Sequence, residues 1–294
     1  MGFISENFLL TAAGVVLFLV FAPIVGCLLA GLDRIISARM QGRVGPPLLQ
    51  PYYDVRKLIG KDDVTVSGVD GLYMTCALVF TVLAGGLFFS GGNLLMSAFI
   101  ITMAALFFIM AAYSSRSPFA EVGAGRETLQ VMAYEPMVLL MAVCFFMATG
   151  SFCVRDTFAL NVPIIWCTVP AFIGFLFILT IKLRKSPFDL SMSHHAHQEL
   201  VRGTTTEMSG KTLAKVEIMH WCETVLFLGW TGMFFLWGGP LSILVGVVVA
   251  LAAWFFEIWI DNNFARVKWQ AMLKWAWIVA FVCGGANLVI LAIV

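Results

Sequence analysis

Residues 129–150 read L-Q-V-M-A-Y-E-P-M-V-L-L-M-A-V-C-F-F-M-A-T-G. About 20 predominantly apolar residues are enough to cross a bilayer as a helix. This run is that long, and Glu135 is its one carboxylate. A charge at the centre of such a helix costs on the order of 2.5–3.5 kcal/mol on insertion scales, so acids found there usually face the bundle interior and mark ion pathways. Pro136 follows directly; it removes a backbone donor and opens the helix locally beside Glu135.

Working outward, seven further apolar runs qualify as spans: 8–31, 71–90, 94–113, 160–181, 218–237, 240–260 and 273–293. The pattern predicts an all-α, polytopic integral membrane bundle of about eight transmembrane helices, with residues 1–294 forming a single membrane domain. Composition agrees: 61% of residues are hydrophobic and 12% charged, against about 25% charged in soluble domains. The net charge of +1 points to no nucleic-acid partner. The first residues carry Glu6 and no Lys or Arg, unlike the basic start of a signal peptide, so the first run reads as a retained membrane helix. The seven cysteines form no C-x-x-C pair, and the chain is expected to hold no iron–sulfur cluster, which needs closely spaced thiolates.

Eight spans leave loops 32–70, 114–128, 182–217 and 261–274 on one side. They hold 17 of the 18 Lys and Arg residues, with Arg155 the exception. By the positive-inside rule that side is the cytoplasm and both termini lie outside. Loops 32–70 and 182–217 exceed 30 residues, a length that marks functional or disordered segments. Their mixture of Gly, Pro, charged and aromatic residues predicts two long ordered cytoplasmic loops that dock a partner. Within the first, Asp54, Arg56, Lys57 and Lys61 interleave with Val55, Leu58 and Ile59, predicting a surface helix ended by Gly60.

Three acids besides Glu135 attract attention for ion movement. Glu217 and Glu223 open the sixth span, and Glu257 lies near the cytoplasmic end of the seventh. His194, His195 and His197 are spaced H-H-x-H, a weak metal signal without a nearby Cys and better suited to a titrating or partner-contacting patch. Ser117-Pro118-Phe119 and Ser186-Pro187-Phe188 echo each other, over too short a stretch to be a repeat. No phosphate-binding loop or catalytic triad is present, so no chemistry is assigned to this chain alone.

Three segments together are specific. These are A-R-M-Q-G-R-V-G-P-P-L-L-Q-P-Y-Y-D-V-R-K-L (38–58), A-Y-E-P (133–136), and S-P-F-D-L with E-L-V-R-G-T-T-T-E-M-S-G (186–190, 199–210). Across essentially the whole chain the sequence resembles the subunit 1 family of respiratory complex I, shared with membrane-bound energy-converting nickel–iron hydrogenases. It looks more like the hydrogenase branch, of Ech and formate-hydrogenlyase type. Gly45-Pro46-Pro47 runs directly into Leu48-Leu49-Gln50-Pro51, and residues 191–198 lack two acids expected near the quinone path of complex I.

The resemblance implies a membrane-anchoring and coupling subunit in a prokaryotic cell membrane. It would link electron transfer between ferredoxin and protons or hydrogen to movement of protons or sodium ions. The implied partners are hydrogenase large and small subunits, an iron–sulfur subunit and antiporter-like membrane subunits, with the nickel–iron centre and iron–sulfur clusters in those chains. Glu135, Glu199, Glu207 and Glu217 would form the ion path, together with Glu223 and Glu257. Arg39, Arg43, Asp54 and Lys57 would organise the first loop against the partner, and Asp189 and Arg202 would do so in the third. The alternative is the quinone-site subunit of a respiratory complex I. A passive anchor would leave Glu135 unexplained, and a free-standing transporter would show inverted repeats.

Overall fold

The computed structural model describes residues 2–62, 68–192, 200 and 202–293, with side chains from residue 9 onward. His194, His195, His197 and Glu199 lie outside the described residues. The chain forms helices α1 (Gly2–Met40), α2 (Gln50–Ile59), α3 (Asp70–Phe89), α4 (Leu94–Ser114), α5 (Pro118–Thr149), α6 (Ile165–Lys182), α7 (Gly210–Met233), α8 (Ser242–Asn263) and α9 (Trp269–Ile293). A π-helical turn at Ala280–Gly285 interrupts α9. The all-α expectation holds, and the chain is a multi-pass membrane protein.

Among the described residues, seven helices are long and apolar enough to span by length and composition alone: α1, α3, α4, α5, α6, α8 and α9; α7, at 24 residues, packs among them as the eighth long helix of the bundle. The run expected at 218–237 belongs to α7, whose 24 residues include Lys211, Lys215, Glu217, His220 and Glu223. α7 packs on α1, α2, α3 and α8, and most of its residues are buried. Glu223 is buried and Lys215, Glu217 and His220 are half-buried against protein, while Lys211 is exposed at the helix start, so the helix is less apolar than its neighbours.

One expectation is corrected: residues 114–128, expected as a loop, are helical from Pro118 onward. The helix begins at Pro118, after an extended Ser117. Pro suits the first helical position because that position's N–H would be unpaired anyway. The 32 residues of α5 reach about 48 Å at roughly 1.5 Å per residue, well beyond a hydrocarbon core of about 30 Å. Its first turns therefore leave the apolar layer and carry Arg126 and Glu127 into the charged end. α5 stops at Gly150, whose φ of 74° is the left-handed cap conformation that glycine adopts freely.

The surface helix expected in the first loop is α2. Pro51 and Val55 are its buried side chains, Tyr52 and Tyr53 are exposed, and Gly60 follows its end. The segments after α1, after α6 and after α8 converge with α2 at one end of the bundle. There Arg34 meets Asp54, Gln41 meets Asn262, and Lys185 meets Asp33 and Asp261. The other end is tied by backbone bonds, Leu94 N–H to Phe152 O and Gly238 N–H to Leu160 O.

The two Ser-Pro-Phe segments play opposite parts. Pro118 starts a helix, whereas Ser186–Phe188 leaves one. Phe119 is exposed and Phe188 buried, so the echo is not a structural repeat.

Candidate functional site

The site is organised by the turn that follows α6. Arg184 adopts φ 52°, a left-handed conformation rare for residues other than glycine. The turn sends consecutive cations to different acids. Arg184 points inward, donating from Nη2 to Glu127 Oε1 at 3.0 Å and from Nη1 to Glu223 Oε2 at 3.2 Å. Both carboxylates are buried, at 4% and 6% exposure. Lys185 instead donates to Asp33 of α1 and, at 3.4 Å, to Asp261 of α8.

Glu127 also accepts the Ser191 hydroxyl. Helix α5, the turn after α6 and α7 are thus joined by one run of polar contacts. Lys182 sits beside this run with its Nζ 3.5 Å from the centre of the Tyr134 ring and 4.8 Å from that of Phe227. The Arg184 guanidinium lies 5.6 Å over Phe108. Aromatic faces attract cations more strongly where water is scarce, so these rings help hold two positive charges beside two negative ones.

The described part of the third loop is fastened to α5 by close backbone approach. A side chain at Gly123 would come within 2.4 Å of Thr204 N, and one at Gly203 within 1.9 Å of Ser191 O. Gly203 also has φ +40°. The Thr204 N–H donates to Ser191 O at 3.3 Å. Gln130 donates to Phe188 O at 2.6 Å, and Arg126 to Leu190 O at 3.4 Å. Asp189 pairs with Arg266 after α8, linking the third charged segment to the fourth.

Electrostatics follow these contacts. Burial alone would lower the Lys185 amine, but Asp33 and Asp261 outweigh it and raise it above its ordinary value. Burial likewise opposes the charge on Arg184, and Glu127 and Glu223 reverse the effect. A cavity of about 320 Å³ is lined by Asp33, Arg34, Lys182, Arg184, Lys185, Glu217, His220 and Glu223 among others. Beside it, a cavity of about 760 Å³ is bordered by Arg34, Arg43, Asp189, Asp261 and Arg266.

The residues singled out from sequence are distributed unevenly. Glu223 lies in the central ion-paired cluster. Glu217 borders the same cavity, on the side of α7 facing Arg34. Glu135 is half-buried on α5, one residue after Tyr134. Glu257 is fully buried on α8 and takes no part in the ion pairs of the cluster. Glu207 is half-buried after the Gly203–Thr205 turn, with no ion pair among the described residues. Arg39 and Arg43 line a cavity of about 550 Å³ with Gly45 to Leu48. Asp54 bonds Arg34 at 2.6 Å and Gln50 at 2.8 Å. Lys57 and Arg202 are exposed, Arg202 with φ 61°.

Sequence reasoning missed Glu127 as a site residue, because a helix taken to begin at 129 left it in a loop. The Ser117-Pro118 start signal would have placed it on α5, two turns before Glu135. It treated Lys182 and Arg184 only as positive-inside charges.

A family model described as NADH dehydrogenase matches residues 13–292. Hydrogenase-4 component C of Escherichia coli is 33% identical over 204 residues, 64% of this chain and 63% of that protein. Formate hydrogenlyase subunit 4 of Escherichia coli is 29% identical over 286 residues, covering 86% of this chain and 90% of its own. An NADH-quinone oxidoreductase subunit of Rubrobacter xylanophilus is 29% identical over 327 residues, covering 97% of each. Among solved structures, a chain of an archaeal membrane-bound sulfane sulfur reductase, a respiratory membrane complex, shares the fold. Its TM-score is 0.85 at 24% identity, over 96% of this chain and 99% of that one.

Proposed function

Because the chain belongs to the NADH dehydrogenase subunit 1 family, a family of membrane subunits of complex I-like and energy-converting hydrogenase assemblies, we propose that it is the anchoring and coupling subunit of an energy-converting nickel–iron hydrogenase complex. The observation that carries the coupling role is the buried Glu127–Arg184–Glu223 cluster beside a charged cavity. A purely mechanical anchor has no use for buried charge that is costly to desolvate.

In this reading the cavity end receives the soluble arm. Hydrogenase large and small subunits and an iron–sulfur subunit dock on Arg39, Arg43, Asp54, Lys57, Asp189 and Arg202, and they carry the nickel–iron centre and the iron–sulfur clusters. Electron transfer between ferredoxin and protons or hydrogen changes the charge at that interface. Arg184 can share its charge unequally between Glu127 and Glu223, and the change passes through Glu135, Glu199, Glu207, Glu217, Glu223 and Glu257 toward antiporter-like membrane subunits that move protons or sodium ions. The membrane is a prokaryotic cell membrane, with both termini outside.

Two sequence features favour the hydrogenase branch: the direct step from Gly45-Pro46-Pro47 to Leu48, and residues 191–198 with their three histidines. A second reading, the quinone-site subunit of a respiratory complex I, is favoured by end-to-end similarity to the Rubrobacter protein.

Purifying the complex through this subunit and identifying its companions by mass spectrometry separates the two. A nickel–iron large subunit with hydrogen evolution from reduced ferredoxin is the expected result. Dehydrogenase subunits with quinone reduction and no nickel would move the chain to the other branch. In the same preparation Glu135→Gln is expected to leave the complex assembled and uncouple ion movement from electron flow; normal coupling would remove Glu135 from the path.

A further inference from the structure

Helix α8 carries two acids four residues apart, Glu257 and Asp261, which share one face. Their surroundings differ. Asp261 accepts from Lys185 at 3.4 Å and from the Ser186 backbone N–H at 2.8 Å, and it lines both charged cavities. Glu257 is 0% exposed, and neither carboxyl oxygen has a hydrogen-bond partner among the described residues. Thr180 of α6 faces it without completing a hydrogen bond. Trp254, three residues before it, lines the smaller cavity, as Asp261 does. Glu257 therefore stands directly behind the cavity wall.

An ionised carboxylate buried without a counter-charge is far more costly than a paired one. Glu127 and Glu223 each have Arg184. Glu257 has no such cation in contact among the described residues, so its site suits a neutral carboxyl group. One turn along α8, Lys185 after α6 joins Asp261 to Asp33 of α1, and Glu217, His220 and Glu223 of α7 border the cavity that Asp261 lines.

We propose that Glu257 is a second proton-holding acid, separate from the Glu127–Arg184–Glu223 cluster, which exchanges its proton with the charged cavity by way of Asp261 and Lys185. In the outward step the O–H bond of Glu257 breaks, and the proton passes to the Asp261 carboxylate. Lys185, released from the newly neutral Asp261, turns to counter the charge left on Glu257. The return step transfers the proton back and restores the Lys185 contacts. No electrons move. The inference rests on a role in ion movement and not on which redox partner the chain serves.

Infrared difference spectroscopy on the intact purified complex tests it, reading the C=O stretch of protonated carboxyl groups. The wild type is expected to show such a band at neutral pH, shifting in heavy water, and Glu257→Gln to lose it while Glu127→Gln keeps it. Glu257→Asp should restore a band at a shifted frequency, and the ion-to-electron ratio should fall in Glu257→Gln. An unchanged band in an assembled Glu257→Gln complex would overturn the proposal. If that variant does not assemble, Asp261→Asn decides: slower exchange of the band into heavy water is expected, and unaltered exchange would refute the route. The band reports on Glu257 even if the partner proves to be a quinone reductase, so the two readings fail separately.

Discussion

Arg184 and Lys185 are adjacent in the chain and serve networks of different depth. The acids paired with Arg184 expose 5% and 8% of their side chains, and those paired with Lys185 expose 22% and 30%. At the rim, Arg34 and Asp54 are exposed by 43% and 42%. The three networks use the same chemistry, a cation between or beside carboxylates, but water reaches them to different extents. The gradient runs from the surface of the charged end inward, with the electrostatic stakes rising as solvent is lost. Coupling needs both ends of it: a rim that a partner can perturb, and an interior where a change of charge cannot be absorbed by water.

The sharpest way to break the comparison is at the deep end. Arg184→Met leaves Glu127 and Glu223 buried and unpaired, and removing one member of a buried ionic group costs on the order of 3–5 kcal/mol. The expected result is a large fall in thermal stability of the purified complex, or failure to assemble. Replacing the whole group by neutral residues of similar size is often tolerated. The triple variant Arg184→Met, Glu127→Gln, Glu223→Gln should therefore recover much of the stability and none of the coupling. If the single variant is as stable as wild type, the cluster is not a buried ionic unit.

One layer out, Lys185→Met removes hydrogen bonds to charged groups, an effect of about 1.5–3 kcal/mol. The sign in pH is definite. With its amine raised above the ordinary 10.5, Lys185 contributes stability that is fully present below that value and lost as pH climbs through the raised one. Wild type and variant should converge in stability only in strongly alkaline solution; convergence near neutral pH would show that Lys185 is not held by Asp33 and Asp261.

The gradient also explains which parts were legible in the sequence. Spans such as 71–90 and 94–113 were readable because lipid demands apolar side chains on every exposed position, and α2 because Val55 and the charges around it alternate at helical spacing. α7 was readable from its apolar second half; its first half is more polar because it lies mostly against protein, which relaxes the demand for apolarity. Glu223 was recognisable beside that apolar stretch. Glu127 was hidden by an assumed helix start ten residues or so too late, and Arg184 by the positive-inside rule, which accounts for a basic residue without saying which way it points. Arg184 leaves α6 in a left-handed backbone conformation and ends between Glu127 and Glu223, and neither follows from hydropathy. Glu257 was noted as an acid near a helix end. That its carboxyl oxygens have no hydrogen-bond partner among the described residues could be learned only from the packing of α6 and α8.

The smallest expected effect lies at the rim and serves as the control for the others. Burial by itself would raise the Asp54 carboxyl, but hydrogen bonds from Arg34 and Gln50 outweigh it and bring it below its ordinary 3.8. Its contribution is present above that value and lost as pH falls through the lowered one. Because both partners are more than 40% exposed, the pair is worth at most about 1 kcal/mol and is weakened by salt. Asp54→Asn should thus barely change the stability of the membrane subunit, and the small difference should vanish at high ionic strength. The same substitution should still reduce retention of the soluble arm on washed membranes if Asp54 docks a partner. A stability loss as large as that of Arg184→Met would abolish the gradient. A neutral stability effect with intact retention would keep the gradient and take Asp54 out of the docking surface.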